Sequence, residues 1–239
     1  MKKNNKKMVL DLGCGHGFNT FYLNKKGYLV IGIDISKENI DICRQRYKNI
    51  NFEVGNAEKL DFKDKIFDEI YAIDILEHVN DLELVINEIR RILKKGGKLI
   101  VNIPYYKSEY WLLKVRPTCF QEIHHVRIFK ENELENFLKN KNFSLFKKLR
   151  IGFLQYFELY FLFKKKNQSK VQTGIGSWRD SFLGIMFHTA MLFFSPIIFY
   201  TPLKYIPIWI ITLPIGYIIN FFGNKFFPKS LYYEFIKDN

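Results

Sequence analysis

A glycine-rich turn near the N-terminus and one later aspartate are residue types that can bind a nucleoside. Residues 8–12 form a short apolar run, and Gly13, Gly15 and Gly17 follow it at alternate positions. Glycines permit positive φ and let the backbone come into contact with a ligand. Asp34 ends the next apolar run, where a carboxylate can accept hydrogen bonds from both hydroxyls of a ribose. The pattern therefore predicts a nucleoside cofactor at the ends of two adjacent strands.

The spacing of these glycines indicates which nucleoside fits. The dinucleotide fingerprint G-x-G-x-x-G needs a glycine at position 18, and Phe18 stands there instead. Asp11 precedes the first glycine by two residues, and its negative charge would repel a pyrophosphate and attract an ammonium group. We therefore expect a nucleoside that carries an amino acid.

Several segments, in the same order, resemble the class I S-adenosylmethionine-dependent methyltransferases, in particular the branch that methylates small molecules, quinones, lipids and glycans. The resemblance covers about residues 8–163 and is highly specific as a set. The matching segments are V-L-D-L-G-C-G-H-G at 9–17, Asp34, G-N-A-E at 55–58, F-D at 67–68, I-L-E-H-V at 75–79 and L-K-K-G-G at 93–97.

This resemblance implies an α/β fold with a doubly wound, seven-stranded and mostly parallel sheet of the Rossmann-like type, and S-adenosyl-L-methionine as cofactor. It also implies that Asp11 and the glycines hold the methionine end and that Asp34 holds the ribose. Asn56 and Ala57 would contact the adenine, and Asn56 replaces a commoner aspartate, which makes its contact neutral. The implied cofactor residues are Asp11, Gly13, Cys14, Gly15, Gly17, Asp34, Ile35, Asn56, Ala57 and Asp74.

A histidine segment at residues 124–134 resembles the family's motif beside the opening of the active site. The match places His125 at the family histidine, so His125 is the candidate catalytic base if the acceptor is a hydroxyl or a phenol. Histidine suits that role because its pKa lies near neutrality. An ordering role for His125 within its loop is the open alternative. His78 is expected to be structural or part of the cofactor floor.

Aromatic residues in the connection before this segment suggest an apolar or planar acceptor. By the resemblance, this connection forms much of the acceptor pocket. Arg127 could contact the acceptor or pair with a neighbouring acid, and the sequence leaves both roles open. The candidate substrate-binding residues are Tyr105, Tyr106, Trp111, His124 and Arg127.

Apolar runs that alternate with amphipathic ones predict strands and helices taking turns in a parallel sheet. Strands are expected at residues 8–12, 28–34, 51–54, 67–73 and 98–103, followed by two closing strands at 143–150 and 155–163. Helices are expected at residues 18–26, 36–46, 81–94 and 132–138.

The composition indicates ordinary globular folding and leaves two kinds of partner open. With 48% hydrophobic and 26% charged residues, the chain is neither low-complexity nor disordered. Lys and Arg outnumber Asp and Glu by 37 to 24, which suits a polyanion or an anionic membrane, although a general bias toward lysine would produce the same balance. Three widely spaced cysteines without a C-x-x-C pair indicate a reducing compartment, and the sequence predicts no metal site.

The apolar and aromatic excess is concentrated toward the end of the chain. We expect a methyltransferase domain over residues 1–166, a linker over 167–177 and a hydrophobic, membrane-associated tail over 178–239. Two runs within the tail, 181–203 and 205–224, lack charged side chains, and at about 20 residues each they could form a helical hairpin in a bilayer. Their prolines leave spanning, re-entrant and interfacial arrangements open.

The flanks of this tail predict its orientation. Lysines and arginines lie on both outer sides of the uncharged runs, which places the catalytic domain on the cytoplasmic face of the cytoplasmic membrane. A chain that ends near Asn167 is then expected to be soluble and to bind the cofactor.

These observations predict a membrane-associated methyltransferase that O-methylates a lipid, quinone, polyprenyl or lipid-linked glycan acceptor. The first alternative is a soluble small-molecule or RNA methyltransferase whose tail packs on its own domain or on a dimer partner. The second is a catalytically inactive membrane protein that binds S-adenosylmethionine. A nucleic-acid acceptor is disfavoured because N-I-P-Y at 102–105 differs in position and in its second residue from the motif of amino-methylating enzymes.

Overall fold

The strands of the protein form one seven-stranded sheet in a computed structural model that describes residues 6–115, 117–151, 223–225 and 228–238. The strands are β1 (Met8–Leu12), β2 (Leu29–Asp34), β3 (Asn51–Val54), β4 (Phe67–Ile73), β5 (Leu93–Pro104), β6 (Phe143–Ile151) and β7 (Ser230–Lys237). The helices are α1 (Phe18–Lys25), α2 (Lys37–Arg46), α3 (Leu82–Ile92), α4 (Tyr106–Val115), α5 (Cys119–Ile123) and α6 (Glu133–Asn140).

The order across the sheet is β3-β2-β1-β4-β5-β7-β6. β1 pairs in parallel with β2 and β4, β2 also pairs in parallel with β3, and β4 with β5. Strands β2 and β3 are added on one side of β1, and β4 and β5 are added on its other side. The sheet is therefore doubly wound, with its switch point between β1 and β4. Ligands of such sheets bind beyond the carboxyl ends of the strands at the switch point. The predicted class of sheet is confirmed.

Strand β1 and helix α3 show how the sequence builds the layers. Four of the five residues of β1 are buried, as expected for a parallel strand covered on both faces. Helix α3 begins after Asp81, whose Oδ1 accepts a hydrogen bond from the backbone N–H of Leu84 at 3.0 Å and so caps the helix. The side chains that α3 buries recur at helical spacing and are Val85, Ile86, Ile89 and Ile92.

Strand β7 runs antiparallel to β6 and lies between β5 and β6. The backbone N–H of Lys229 donates to the carbonyl of Ile151 at 2.9 Å, and that of Asp238 donates to the carbonyl of Asn142 at 3.0 Å. The start of β7 is therefore paired with the end of β6. Residues 152–229 separate these two neighbouring strands in the sequence.

This strand corrects the sequence analysis, which placed residues 230–237 in a hydrophobic tail. Leu231, Tyr233 and Phe235 are buried at alternate positions, which is the pattern of a strand, and the longer apolar runs before them obscured it. A chain that ends near Asn167 would lack β7, which lies inside the sheet, so we now expect such a chain not to fold. The predicted closing strand at 155–163 lies outside the described residues.

The chain divides into two compact units. The first comprises residues 1–106, 120–149 and 232–239, and the second comprises 107–119 and 150–231. The predicted linker and nearly all of the two uncharged runs lie outside the described residues. Within the part of the chain that is described, no helix has the length and apolar character needed to cross a membrane.

Candidate active site

A cavity of about 280 Å³ opens at the carboxyl ends of β1, β2 and β4, where the sheet has its switch point. Gly13, Asp34, Ile35, Asn56, Ala57 and Asp74, all predicted cofactor residues, line this cavity. The other lining residues are Leu12, Ile33, Gly55, Glu58, Ile75, His78, Val79 and Asn80.

The turn after β1 is held against β2 by hydrogen bonds. The backbone N–H of Cys14 donates to the carbonyl of Ile33 at 2.8 Å, and that of Gly15 donates to Asp34 Oδ2 at 2.8 Å. On the other side the thiol of Cys43 in α2 lies 3.2 Å from the carbonyl of Gly15. The path of the turn is therefore fixed by the ends of the strand and helix around it.

The turn requires glycine for both conformation and space. Gly13, Gly15 and Gly17 have φ of 72°, 51° and 76°, in the left-handed region that side chains disfavour. A Cβ on Gly13 would also lie 2.6 Å from Ile75 Cδ1. A side chain at Gly13 would therefore be strained and would collide with Ile75, so the turn can keep this path only with glycine there.

Asp34 is positioned by three donors at the end of β2. Its Oδ2 accepts from Gly15 N, and its Oδ1 accepts from Ser36 N at 2.9 Å and from Asn39 Nδ2 at 3.3 Å. A carboxylate has about four acceptor sites, so capacity remains for a hydroxyl donor in the cavity. Since the donors hold the carboxylate in one orientation, a ribose would meet a fixed acceptor.

Asp11 lies beneath the turn and is 2% exposed. It accepts hydrogen bonds from Asn19 Nδ2 at 2.7 Å and from Thr20 Oγ at 2.5 Å, both in α1. Burial raises the pKa of Asp11 to about 6, although the bonds from Thr20 and Asn19 act in the opposite direction. In the structure Asp11 thus ties the turn to α1, and its predicted contact with the methionine end of the cofactor stays a prediction.

The cavity wall beyond Asp34 combines an exposed apolar side chain with a local polar turn. Ile35 is 72% exposed, although a residue of this type is usually buried, and it faces the cavity where a planar base could cover it. Asn56 Oδ1 accepts from the backbone N–H of Glu58 at 2.9 Å, which fixes the orientation of its amide. Ala57, which lies between Asn56 and Glu58 in the sequence, is buried. This wall suits an adenine.

Asp74 marks the end of β4 with an unusual backbone conformation. Its φ is 51°, which is uncommon outside glycine. Two bonds from the neighbouring strand hold it: its N–H donates to the carbonyl of Asn102 at 3.0 Å, and its Oδ1 accepts from Asn102 Nδ2 at 2.7 Å. β5 therefore fixes the cavity-lining Asp74.

Two histidine rings meet beside the cavity. The ring centroids of His78 and His125 are 4.7 Å apart in an edge-to-face arrangement, and the Phe120 ring lies 5.5 Å from His125. His78 Nδ1 lies 3.0 Å from the carbonyl oxygen of His124. A carbonyl only accepts, so Nδ1 carries a proton. Burial and the nearby His125 lower the pKa of His78, which favours its neutral form.

Arg127 joins the histidine segment to the segment after β4. Its Nη2 donates to the carbonyls of Val79 at 2.6 Å and Asn80 at 2.8 Å, and its Nη1 lies 3.5 Å from the carbonyl of Leu76. This arrangement is a clamp between two loops. The role of Arg127 toward a substrate stays a prediction.

The other residues predicted to bind substrate lie in different surroundings. Tyr105 is 2% exposed, and its ring centroid lies 4.9 Å from that of Tyr106, whose hydroxyl donates to Glu131 at 3.2 Å. Trp111 lies in α4, within the second unit. His124 is exposed and contributes its carbonyl to His78.

The structure also gathers a group that the sequence analysis missed. Glu77, His78 and His125 each bring one potential ligand atom to within 4.8 Å of the others. Glu77 is 1% exposed, and its carbonyl accepts from the backbone N–H of Val126 at 3.0 Å. Glu77 and His78 are adjacent in a recognised motif, but no sequence spacing links them to His125, because β5 and three helices intervene.

Comparisons with known proteins agree with this geometry. Residues 10–101 match the family model described as a methyltransferase domain. The chain is 45% identical over 100 residues to an uncharacterized protein of Methanocaldococcus jannaschii, covering 42% of this chain and 43% of that protein. It is 38% identical over 97 residues to a ubiquinone biosynthesis O-methyltransferase of Pelagibacter ubique, covering 39% and 40%. The chain thus spans about two fifths of the length of these curated relatives.

Solved structures extend the similarity over more of the chain. A Pyrococcus horikoshii protein is 32% identical with a TM-score of 0.52, covering 63% of this chain and 79% of that one. A S-adenosylmethionine-dependent methyltransferase of Methanosarcina mazei is 26% identical with a TM-score of 0.53, covering 62% and 84%. With the sheet order, the glycine turn and the matched domain in agreement, the chain belongs to the class I S-adenosylmethionine-dependent methyltransferases.

Proposed function

We propose that this protein is an enzyme that transfers the methyl group of S-adenosylmethionine to an oxygen atom of a small apolar acceptor. The observation that carries the proposal is the cavity at the switch point. It offers a fixed carboxylate, Asp34, for a diol and an exposed aliphatic side chain, Ile35, for a planar base. The glycine turn adds backbone that a ligand can approach closely.

When bound, S-adenosylmethionine supplies a methyl group attached to a positively charged sulfur. In the transfer an acceptor oxygen would bond to the methyl carbon, the electron pair of the C–S bond would stay on sulfur, and the proton of the acceptor hydroxyl would pass to His125. The protein must align the two partners and exclude water. Asp34 and the turn orient the donor side, and His125 is the group that we place next to the acceptor proton.

The acceptor class that we propose is a lipid, quinone, polyprenyl or lipid-linked glycan. The relatives named ubiquinone biosynthesis O-methyltransferases support a small-molecule acceptor of apolar character. The half-buried ring of Tyr106, which packs against buried Tyr105, supplies aromatic surface in the segment that follows β5. The uncharged runs at 181–203 and 205–224 support attachment to the cytoplasmic membrane, with the catalytic domain facing the cytoplasm.

Cofactor binding is tested by calorimetry with the Asp34→Ala variant. Loss of a charge-assisted contact costs about 1.5 to 3 kcal/mol, so affinity for S-adenosylmethionine should fall roughly tenfold to a hundredfold. Asp41→Ala is the matched control, because Asp41 pairs with exposed Lys37 on α2, and it should bind normally. Unchanged affinity in Asp34→Ala, or a preference for NAD, would refute the assignment.

The acceptor is tested by incubating the full chain and isotope-labelled cofactor with membrane extract. Label should enter the lipid fraction, and the full chain should pellet with membranes and resist high salt and carbonate. Label in nucleic acid would favour the RNA alternative. Release of the full chain from membranes by salt alone would show that only electrostatic attraction attaches it. A full chain without any transfer to any fraction would favour an inactive cofactor-binding protein.

His125 is tested once the acceptor is known. In His125→Ala turnover should fall about 10² to 10⁴-fold, while the affinity for S-adenosylmethionine stays within a few-fold, because we place His125 on the acceptor side. Turnover that stays near the wild-type value in a folded variant would show that His125 only orders its loop.

A further inference from the structure

We propose that Glu77, His78 and His125 bind one divalent transition-metal ion of the zinc type beside the cofactor cavity. Each residue offers one ligand atom, and the three atoms lie within 4.8 Å of one another. All three residues belong to the first unit. This departs from the sequence analysis, which predicts no metal site, because the ligands come from segments far apart in the chain.

The donor set suits such an ion. Two imidazole nitrogens and one carboxylate oxygen are the protein ligands of many catalytic zinc sites, which keep a further position open for water or substrate. Tetrahedral ligands at about 2.0 to 2.1 Å from zinc lie about 3.3 Å apart. Side-chain rotations would bring the cluster from 4.8 Å to that separation.

The orientation of His78 leaves the correct atom for a metal. Its Nδ1 donates to the carbonyl of His124 at 3.0 Å, so in the neutral ring Nε2 has a lone pair. A metal-binding histidine commonly donates its other ring N–H to a carbonyl in this way. The edge-to-face contact with His125, at 4.7 Å between centroids, keeps the second imidazole beside the first.

The backbone around the cluster is already held together. Val126 N donates to the carbonyl of Glu77 at 3.0 Å, and Arg127 donates to the carbonyls of Val79 and Asn80. These bonds join the segment after β4 to the histidine segment on either side of the three ligands. An ion would therefore bind to two loops whose spacing is fixed before it arrives.

The location gives the ion a role that rests on the proposed function. His78 lines the cavity, so an ion held by this residue would lie beside the space where we place donor and acceptor. A metal bound to the acceptor hydroxyl lowers the pKa of that hydroxyl, and the proton then passes to solvent as the oxygen bonds to the methyl carbon. In this arrangement His125 assists the loss of the acceptor proton as a metal ligand instead of as a base, so chelator-treated enzyme would lose turnover as the His125→Ala variant does.

The test measures metal binding apart from methyl transfer. The full chain is freed of metal with a chelator and titrated with Zn²⁺ by calorimetry and with Co²⁺ by absorption spectroscopy. We expect one equivalent to bind, with affinity at least about 100-fold weaker in Glu77→Gln and in His125→Ala. His124→Ala is the control, because its exposed ring lies outside the cluster, and it should bind like the wild type.

Each outcome bears on the proposal. Binding of S-adenosylmethionine by the same variants shows that they are folded. The proposal is overturned if the wild type binds no stoichiometric ion, or if Glu77→Gln and His125→Ala bind as tightly as His124→Ala. Stoichiometric binding without any methyl transfer would leave the metal site standing and refute the proposed function instead.

Discussion

Replacing Asp11 by asparagine should stabilise the protein at neutral pH and leave its stability nearly unchanged in acid. Burial raises the pKa of Asp11 from 3.8 to about 6 in the folded state, so the folded protein binds this proton more tightly than the unfolded chain. The stability from this group is therefore fully present below about pH 4 and is lost as the pH rises through 6. At about 1.4 kcal/mol per pH unit, the loss is about 3 kcal/mol.

Asparagine is the matched replacement because it imitates the protonated acid. Its oxygen can accept from the Thr20 hydroxyl, and its NH2 can donate to Asn19 Oδ1 once the Asn19 amide, which now donates through Nδ2, turns over. Both contacts with α1 are then kept without a charge. The buried charge at neutral pH is the one large difference between the two proteins.

The assay is urea unfolding of both full-length proteins, without cofactor, at several values between pH 4 and pH 8. Other titrating groups cancel in the difference between the two unfolding free energies. That difference should rise with pH and level off above pH 7 at about 3 kcal/mol in favour of Asp11→Asn. A difference that stays flat across this range, or an NMR titration giving Asp11 an ordinary pKa, would refute the reasoning.

Two further predictions concern a cysteine and the connection between the last two strands. Burial raises the pKa of the Cys43 thiol to about 11, so iodoacetamide at pH 8 should modify Cys43 in urea but not in the folded protein. Site-resolved mass spectrometry measures this modification, and rapid labelling of the folded protein would contradict the prediction. Because Lys229 N bonds to the carbonyl of Ile151, a chain in which a short turn replaces residues 152–228 should fold and bind S-adenosylmethionine within a few-fold of the full chain. A chain that stops near Asn167 should show neither a cooperative melt nor binding, and a truncated chain that bound normally would show that β7 is dispensable.

The strands of the first half could be predicted because their signal is local. Short apolar runs followed by glycine or aspartate predicted the bounds of β1, β3 and β4 as the structure has them. The side chain of Ser36 accepts a hydrogen bond from Asn39 N, as expected of a helix cap. These features depend on neighbours a few residues away. Helices α4 and α5 were not predicted, because the aromatic residues around Trp111 were interpreted only as parts of a pocket.

Features that join distant parts of the chain could not be predicted in this way. The cluster of Glu77, His78 and His125 exists because hydrogen bonds join two loops. Those bonds cannot be predicted from any periodicity in the sequence. Asp11 was recognised as a charge near a cofactor, but its burial against Thr20 depends on how α1 packs. The short alternating pattern of β7 was likewise interpreted as part of the two longer apolar runs that precede it.

The position of β7 determines the order in which the protein can be completed during synthesis. β5 and β6 leave the ribosome first, but the strand that lies between them in the sheet follows both in the chain, after residues 152–229. Until then each has an unpaired edge of the kind that promotes aggregation, and the pairing that closes the sheet is long-range and therefore slow. Both uncharged runs are synthesised before the sheet can close. If those runs reach a bilayer during translation, the nascent chain is attached there before the catalytic domain has finished folding.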